Sequence, residues 1–337
     1  MEDRFPIWLL NPQHIKTLRG QKTDRKDAEW IADLLRHGLV RASFVARPPE
    51  RELRELVRER TNFVRTRATY ANRLPKVLEG AGGKLDGLVS DVLGQAGRQI
   101  VRALAQGAPD PAALKLDKRV RERAAALQQV LNAPLTKATR FVQHELLTQI
   151  ESLDATIARC ETQVEEAVAA QPDEARAVEL LDSLPGIGRE TAQLLVAEVG
   201  SDMGRCASAG HLAAGVGLAP GNNESGGKRR ASPTRQGNRW GRSALAQSAL
   251  GAIRRKDSAL GRRYRRLAVR LGHKRAVVAI AHRLIELVYW VLSDQDPYRE
   301  PTPAADPVRR EAEAQRLKRK LGKLGYDVTL TEIPAAA

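Results

Sequence analysis

Apolar side chains recur in alternating steps of four and three residues between positions 146 and 164. They are Leu146, Ile150, Leu153, Ile157, Cys160 and Val164. This heptad spacing predicts a helix long enough for a short coiled coil or for one arm of a helical hairpin. The partner helix can belong to the same chain or to a second copy. Residues 118–170 are predicted to be helical, apart from a break near Pro134. The predicted fold class is mainly α with a small α/β part.

Shorter elements are predicted before this region. Ile7 to Leu10 is predicted to form one short buried strand that ends at Asn11-Pro12. Thr23 and Asp24 resemble a helix start, and residues 27–36 follow with Gly38 as a stop. The apolar stripe of that helix is Ala28, Ile31, Leu34 and Leu35.

A long helix is predicted from about Pro49, and Pro75 is expected to kink it or shorten its end. Its apolar side carries Leu53, Leu56, Phe63, Val64, Tyr70, Leu74, Val77 and Leu78. Its other side is rich in arginine, with Arg51, Arg54, Arg58, Arg60, Arg65, Arg67 and Arg73. In the Gly- and Ala-rich stretch 80–117, Asp91 is a candidate cap for a short helix.

The charge balance restricts the partners of this chain. Its 337 residues include 56 Lys and Arg against 40 Asp and Glu, a formal net charge of +16. A clustered surplus of this size favours a polyanion such as DNA or RNA, although cations also serve solubility alone. A membrane surface is disfavoured because no basic helix has a clean apolar face.

Cysteine usage and hydropathy favour a cytoplasmic protein. Cys160 and Cys206 lack the spacing of metal ligands, so neither a zinc site nor a disulfide framework is predicted. Apolar runs such as Val277–Ile280 are much shorter than a membrane span, and the N-terminus lacks the pattern of a signal peptide. We therefore expect cytoplasmic residence and no membrane partner.

One loop-like block, residues 215–242, combines a hydroxyl with glycines and cations. Ser225 stands before Gly226-Gly227, and the cations that follow are Lys228, Arg229, Arg230, Arg235, Arg239 and Arg242. Glycines let a backbone approach a phosphate closely, and cations stabilise the charge that develops during phosphoryl transfer. Ser225 is therefore a candidate nucleophile; the alternative is a surface loop whose serine only tightens a turn.

Residues 184–189, Leu-Pro-Gly-Ile-Gly-Arg, lie between two helical patterns and resemble a helix-hairpin-helix element. Gly186 and Gly188 would tighten the hairpin, and the backbone N–H groups at the start of the second helix, next to Arg189, would face a phosphate. An ordinary helix–helix turn explains the same residues.

Two carboxylates, Asp24 and Asp27, lie three residues apart at a predicted helix start. This spacing places both on one side of the helix, where they could share a divalent ion such as Mg²⁺. The alternative is a capping pair that stabilises the helix N-terminus.

The densest basic run lies between Arg254 and Arg275 and is predicted to contact phosphates, with a solvated helix face as the alternative. At helical spacing its ten cations are expected to cover much of a helix rather than one stripe. His211, His273 and His282 have no carboxylate at a relay spacing and are interpreted as structural.

Taken together, the chain resembles a transposase of the IS110 family of bacterial insertion sequences over nearly its whole length. The landmarks are Asn11-Pro12, the motif at 22–28, the hairpin at 184–188, Leu218–Lys228 with Ser225, and Gly237-Asn238-Arg239.

The resemblance implies a composite DNA recombinase. A RuvC-like domain of RNase H type would bind Mg²⁺ through four acids, a coiled coil would follow, and a C-terminal domain would hold the nucleophilic serine. The family assembles as oligomers, so a homodimer or homotetramer is expected. A structured guide RNA encoded by the element would pair with the DNA. By this resemblance Ser225 matches the nucleophile, and Asp24 and Asp27 match the third and fourth acids.

The first two acids of the family motif precede Asn-Pro, and here only ten residues do. We therefore expect a truncated chain, or one with a misplaced start, that binds nucleic acid but does not cleave strands unaided. The expected divisions are 1–80 (partial RuvC-like), 81–172 (coiled coil), 173–296 (transposase domain) and 297–337 (Pro-rich linker and charged tail). The rival hypothesis is a non-catalytic DNA- or RNA-binding remnant that modulates full-length copies.

Overall fold

The helices of this chain fall into two compact units, residues 1–167 and 168–337. The computed structural model describes residues 8, 10, 24–40, 46–80, 82, 85, 87–107, 114, 116–221, 224–225, 228–229, 234, 236–255, 258–301 and 307–329. Most of these residues are helical, which confirms the predicted fold class. The strand predicted at residues 7–10 lies largely outside the described residues, and the four-part division stays a prediction.

The first unit contains six helices within its described residues. They are α1 (Asp24–Arg36), α2 (Pro48–Gly80), α3 (Gln95–Gln106), α4 (Lys118–Arg121), α5 (Ala124–Leu131) and α6 (Lys137–Ala169). The break predicted near Pro134 falls between α5 and α6. Asp91 does not cap α3, whose N-cap is Gly94; its carboxylate instead accepts from Leu93 N, 2.9 Å away, and stabilises the preceding turn.

Helix α1 begins and ends where the sequence predicts. Gly38 has φ +67°, and Leu39 N donates to Leu34 O at 2.9 Å, which closes the last turn. A left-handed residue of this kind favours glycine because other side chains are strained there. Of the predicted stripe, Leu34 is buried while Ala28 and Leu35 are exposed, so the stripe is only partly covered.

Helix α2 does not end at Pro75 but runs on to Gly80. Its predicted apolar side is buried at Leu53, Leu74 and Leu78 but exposed at Val64. The opposite side is less open than the sequence indicates, because Arg60 is buried and Arg67 pairs with a carboxylate of α6.

The heptad seam of α6 packs at its start against helices of the same unit. Leu146, Leu147 and Ile150 are buried in a core shared with α2, α3 and α5. Leu153, Ile157 and Cys160 are half-buried, and Val164 is buried again. Burial of each large aliphatic side chain contributes about 1.5–3 kcal/mol, so the N-terminal half of the seam stabilises the chain's own core.

An ion-pair cluster joins three helices of the first unit. Asp154 of α6 accepts hydrogen bonds from Arg67 of α2 and from Arg98 of α3, the latter at 2.6 Å. Burial raises the pKa of Asp154, but the hydrogen bonds and charges of both arginines lower it by more. The pKa of Asp154 therefore lies below its ordinary value of 3.8. The charged carboxylate therefore stabilises the fold.

The second unit is built around one long helix. Its elements are α7 (Pro172–Asp182), α8 (Arg189–Val199), a 3₁₀ turn (Met203–Arg205), α9 (Ala209–Gly215), β1 (Glu224–Ser225), β2 (Lys228–Arg229), α10 (Arg239–Arg254), α11 (Ala259–Leu271), α12 (His273–Asp294) and α13 (Pro307–Lys323). Helix α12 packs against α7, α9, α10 and α11. By length and composition α12 could cross a membrane, although the sequence analysis expected no such run. Its central place in this unit makes it a core helix.

Helix α11 corrects one prediction about the basic run. Its inner side is apolar, with Leu260 and Gly261 buried and Leu267 and Leu271 half-buried. Its exposed arginines, Arg263, Arg265, Arg266 and Arg270, lie on the other side, while Arg262 is half-buried, so the cations do not cover the whole helix.

We predict that Asp154→Asn lowers the free energy of unfolding at pH 7 by about 1 kcal/mol, because two guanidinium groups lose a charged acceptor. A folded-state pKa below 3.8 gives stability that is present above pH 3.8 and is lost as pH falls through the lowered pKa. Urea unfolding at pH 7 and at about pH 3 measures the difference. An equal deficit at both pH values would contradict the charge argument.

Candidate functional site

Ser225 lies at the end of a two-stranded antiparallel ribbon. Strands β1 and β2 pair with Ser225 opposite Lys228 and Glu224 opposite Arg229. Ser225 is thus the last residue of a strand rather than a turn residue, and the sequence places only Gly226-Gly227 between the paired positions. Gly-Gly is a favoured two-residue connection of such ribbons. The side chains of these four strand residues lie outside the described part of the chain, as do Arg230 and Arg235.

A bridge between Pro220 and Thr234 closes the ribbon at its base. Three residues separate Pro220 from Glu224, and four separate Arg229 from Thr234. The two sides of the ribbon therefore differ by one residue in the sequence that separates the two sets of pairs.

The ribbon base rests on a close backbone contact. A Cβ added at Gly237 would lie 2.6 Å from Gly215 O and 2.6 Å from Gly217 Cα, so only glycine fits. Asn238 N donates to Gly215 O at 2.9 Å. The chain that leaves the ribbon thus lies directly on the chain that enters it, at the end of α9.

Asn238 then joins two helices. Its side-chain oxygen caps α10 by accepting from Trp240 N at 2.9 Å and Gly241 N at 3.1 Å, as an N-cap asparagine does. Its amide donates to the buried carboxylate of Glu198, near the end of α8. One side chain therefore fixes the start of α10 relative to α8.

The segment that enters the ribbon is also fixed in position. Leu218 is buried, and its N–H donates to Ala213 O at 2.9 Å. His282 of the central helix lies with Nδ1 3.2 Å from Leu218 O and Nε2 3.4 Å from a Glu286 oxygen. This histidine therefore has a structural partner.

Two cations stand beside this base on the first turn of α10. Arg239 and Arg242 are exposed, and the guanidinium carbon of Arg239 lies 4.9 Å from the centre of the Trp240 ring. The first turn of α10 has no acidic residue. Because the N-terminus of a helix is already positive, cations there are unfavourable unless an anion binds. The buried carboxylate of Glu198 supplies one negative charge at this helix start, and the two exposed guanidinium groups face solvent, where an external anion can bind them.

The predicted hairpin at 184–188 joins α7 to α8. Gly186 has φ +84°, and a Cβ there would lie 2.7 Å from Ala252 N of α10. This packing accounts for Gly186 without a ligand. Gly188 is the N-cap of α8, no atom lies within 4 Å of a Cβ built on it, and Arg189 is exposed. The start of α8 is therefore accessible.

The hairpin and the serine ribbon lie at opposite ends of the same two helices. Gly186 meets the C-terminal half of α10, whereas Glu198 meets its start, so α8 and α10 are antiparallel. The 11 residues of α8 span about 16 Å at 1.5 Å per residue. The hairpin and the serine ribbon therefore belong to the same unit but lie about one helix length apart.

Asp24 is the first residue of α1 and Asp27 lies almost one turn later. Their side chains lie outside the described residues, and among those described no group of three or more His, Cys, Asp or Glu could hold a metal ion. The sequence missed the bridging role of Glu198, for which it has no local signal. The cap at Asn238 had one, an asparagine directly before a helical pattern.

Comparison with known proteins defines the class. The model of the transposase IS116/IS110/IS902 family matches residues 178–265, and a second model, a DEDD transposase of IS110 type, matches residues 1–82. The chain is 25% identical over 300 residues to the transposase for insertion sequence element IS1111A of Coxiella burnetii, with 88% of this chain and 73% of that one covered. A probable family 20 transposase of Pseudomonas aeruginosa is 26% identical, with 87% and 79% covered.

The third relative is the insertion element IS900 uncharacterized 42 kDa protein of Mycobacterium paratuberculosis. It is 31% identical over 311 residues, which cover 85% of this chain and 75% of that protein. The chain belongs to the IS110 family of transposases. A transposase acts on DNA, which is therefore its partner. The match over residues 1–82 agrees with the RuvC-like part predicted there.

We predict that Gly237→Ala destabilises the second unit by about 3 kcal/mol or more, because the methyl group meets backbone atoms that cannot move aside. Gly215→Ala is the matched control, since no atom lies within 4 Å of a Cβ at that position. Thermal unfolding and limited proteolysis within 220–234 measure the effect. Equal stability of the two variants would contradict the packing of the ribbon base.

Proposed function

We propose that this transposase cuts and rejoins DNA through Ser225. The Ser225 oxygen would attack a backbone phosphorus, the bond to one bridging oxygen would break, and the freed DNA hydroxyl would take the proton. Attack by a DNA hydroxyl on the phosphorus of this serine ester would break the bond to the Ser225 oxygen, return the proton to that oxygen and rejoin a strand. The observation that carries the proposal is the place of Ser225 at the end of a ribbon whose base is fixed by Gly237 and Asn238.

The charges around the ribbon support this role. Lys228 is paired with Ser225 in the strand register, and Arg239 is exposed at the ribbon base. Lys228, Arg229 and Arg230 would hold the phosphate at Ser225 and stabilise its transition state, while Arg235 and Arg239 would hold the DNA backbone near the ribbon base. A serine in a ribbon of this kind needs no buried relay, because the cations lower the barrier by binding the developing charge.

The carboxylates of Asp24 and Asp27 fit Mg²⁺ in chemistry, because Mg²⁺ prefers oxygen ligands and binds through one or two carboxylates. When bound, Mg²⁺ would polarise the phosphate. Both residues begin α1 and fall within the DEDD match at residues 1–82. As acidic residues in the first turn of α1, both would also interact favourably with the helix dipole, so the two roles are compatible.

The hairpin at 184–189 would act as a helix-hairpin-helix element. Accessible N–H groups at the start of α8, next to Gly188 and Arg189, suit a phosphate. A spacing of about 16 Å from the ribbon base fits two contacts on one duplex, in which phosphates of one strand advance 3.4 Å along the axis. These contacts would position DNA without reading its bases.

A guide RNA encoded by the element and assembly as a homo-oligomer complete the proposal, both from the family resemblance. The arginine-rich helix α2 is a candidate RNA contact through outer residues such as Arg73, which is exposed. Arg60 is buried and Arg67 is paired with Asp154, so neither is a candidate RNA contact. Action on DNA would place the protein in the cytoplasm at the nucleoid.

If Ser225 is the nucleophile, the wild-type chain is expected to form a covalent protein–DNA adduct that Ser225→Ala abolishes while DNA binding is retained. Such an adduct would overturn the expectation that the chain does not cleave strands unaided. The chain is expressed from a plasmid carrying its coding sequence with the natural flanking DNA, and adducts are trapped by denaturation. Ser232→Ala, in the same block, is the control and should keep the adduct. If neither wild type nor variant forms an adduct, the protein is the non-catalytic binding remnant instead.

We predict that Mg²⁺ raises the melting temperature of the wild-type chain by about 2 °C at ten times its dissociation constant. The double change Asp24→Asn with Asp27→Asn should remove this shift. Asp33→Asn, on the exposed side of the same helix, is the control and should keep it. A Mg²⁺ shift that survives the double change would contradict the assignment of these two ligands.

A further inference from the structure

The outer side of α11 is rich in arginine and has no acidic residue in the surrounding sequence. It presents arginines in a stretch, residues 258–285, that contains no Asp or Glu at all. A solvated helix face in a soluble protein usually mixes both signs of charge, so that neighbouring side chains compensate each other. The stretch supplies no acidic partner to its own arginines, although Arg262 and Arg265 do make interactions within the protein.

Three of these arginines form a line along the helix. Arg263, Arg266 and Arg270 follow the spacing i, i+3, i+7, which places them on one side at axial steps of about 4.5 and 6 Å. All three are exposed, and within the described ranges none has a hydrogen bond or ion pair. Their guanidinium groups are therefore available to an external anion.

Val269 stands beside this line and is 92% exposed. Exposing a large aliphatic side chain to water is unfavourable in free energy. Val269 is well placed, however, against the apolar parts of a polyanion, such as sugars or the methyl group of thymine. The combination of an arginine line and one bare aliphatic group therefore indicates more than solubility.

Hydrogen bonds and close backbone packing fix the position of α11 in the second unit. Ser258 caps it by accepting from Gly261 N at 2.9 Å, and a Cβ at Gly261 would lie 2.5 Å from Arg255 O. Tyr264 Oη and His273 Nδ1 lie 2.8 Å apart and tie α11 to the start of α12. The arginine line is thus presented on a fixed support, as a preorganised surface should be.

We propose that the outer face of α11 binds double-stranded DNA, with Arg263, Arg266 and Arg270 on the phosphates and Val269 directed into the major groove. A helix of 13 residues, about 20 Å long, fits that groove in B-form DNA. The deep, narrow groove of duplex RNA does not admit a helix, so the geometry favours DNA. This inference rests on the DNA partner of the family and is independent of Ser225.

The first test measures DNA affinity against salt concentration, by fluorescence anisotropy with a mixed-sequence DNA duplex. The triple change of Arg263, Arg266 and Arg270 to Gln should reduce the slope of log K against log salt by about 0.9 for each lost contact, about 2.7 in all. Affinity at about 0.15 M salt should fall by about 100-fold.

The control is a second triple change, of Lys137, Arg176 and Arg299 to Gln, which removes the same charge at exposed positions elsewhere. It should leave the slope nearly unchanged. An equal loss in both triple variants, or an unchanged slope in the α11 variant, would overturn the proposal. So would a loss that is as large for duplex RNA of the same sequence.

The second test locates Val269 without requiring altered affinity. p-Benzoylphenylalanine in place of Val269 should crosslink to the same DNA duplex on irradiation. The same group in place of Trp290, which is also exposed, should not. Absence of a crosslink at 269, or equal crosslinking at both positions, would contradict the placement of α11 in the groove.

Discussion

The close contact of Gly237 with the backbone of Gly215 and Gly217 is the constraint on which the second unit depends. It brings together the two segments that enter and leave the ribbon, so that Asn238 N can donate to Gly215 O and the Asn238 side chain can cap α10. Glu198 then links that cap to α8. A ribbon of two short strands is marginal by itself, and this base supplies the support that the strands lack.

The same contact sets the distance between the proposed DNA contacts. Because Asn238 joins the end of α8 to the start of α10, the hairpin at the other end of α8 lies about one helix length from the ribbon. The outer face of α11 belongs to the next helix of the same packed group around α12. A rigid helical support with several cationic contacts suits a protein that must hold a duplex while its backbone is broken.

The helices could be predicted from local patterns. Gly38 marked the end of α1, Pro134 marked the break before α6, and the heptad seam marked the helical arm, because caps, breakers and periodicity act over a few residues. The link from Glu198 to Asn238 could not, since it joins residues 40 positions apart without a local signal. The one-sided arginine face of α11 was missed for a related reason: the buried side of a helix is defined by its neighbours in space.

The site could be predicted in part. The sequence proposes Ser225 and its cations, an assignment that stays a prediction, and the structure adds the register with Lys228 and the supports at Gly237 and Asn238 that no motif shows. It also removes Arg60 and Arg67 from the open arginine surface of α2. These corrections share one cause, which is that burial and pairing depend on residues distant in sequence.

The most direct test of the central claim is to locate the bond between protein and DNA. Adducts formed on the plasmid substrate are digested with nuclease and protease, and the peptide that retains a nucleotide is identified by tandem mass spectrometry. The account predicts a nucleotide joined through phosphate to the Ser225 oxygen. A nucleotide on any other residue of the chain, for example a tyrosine, would contradict it.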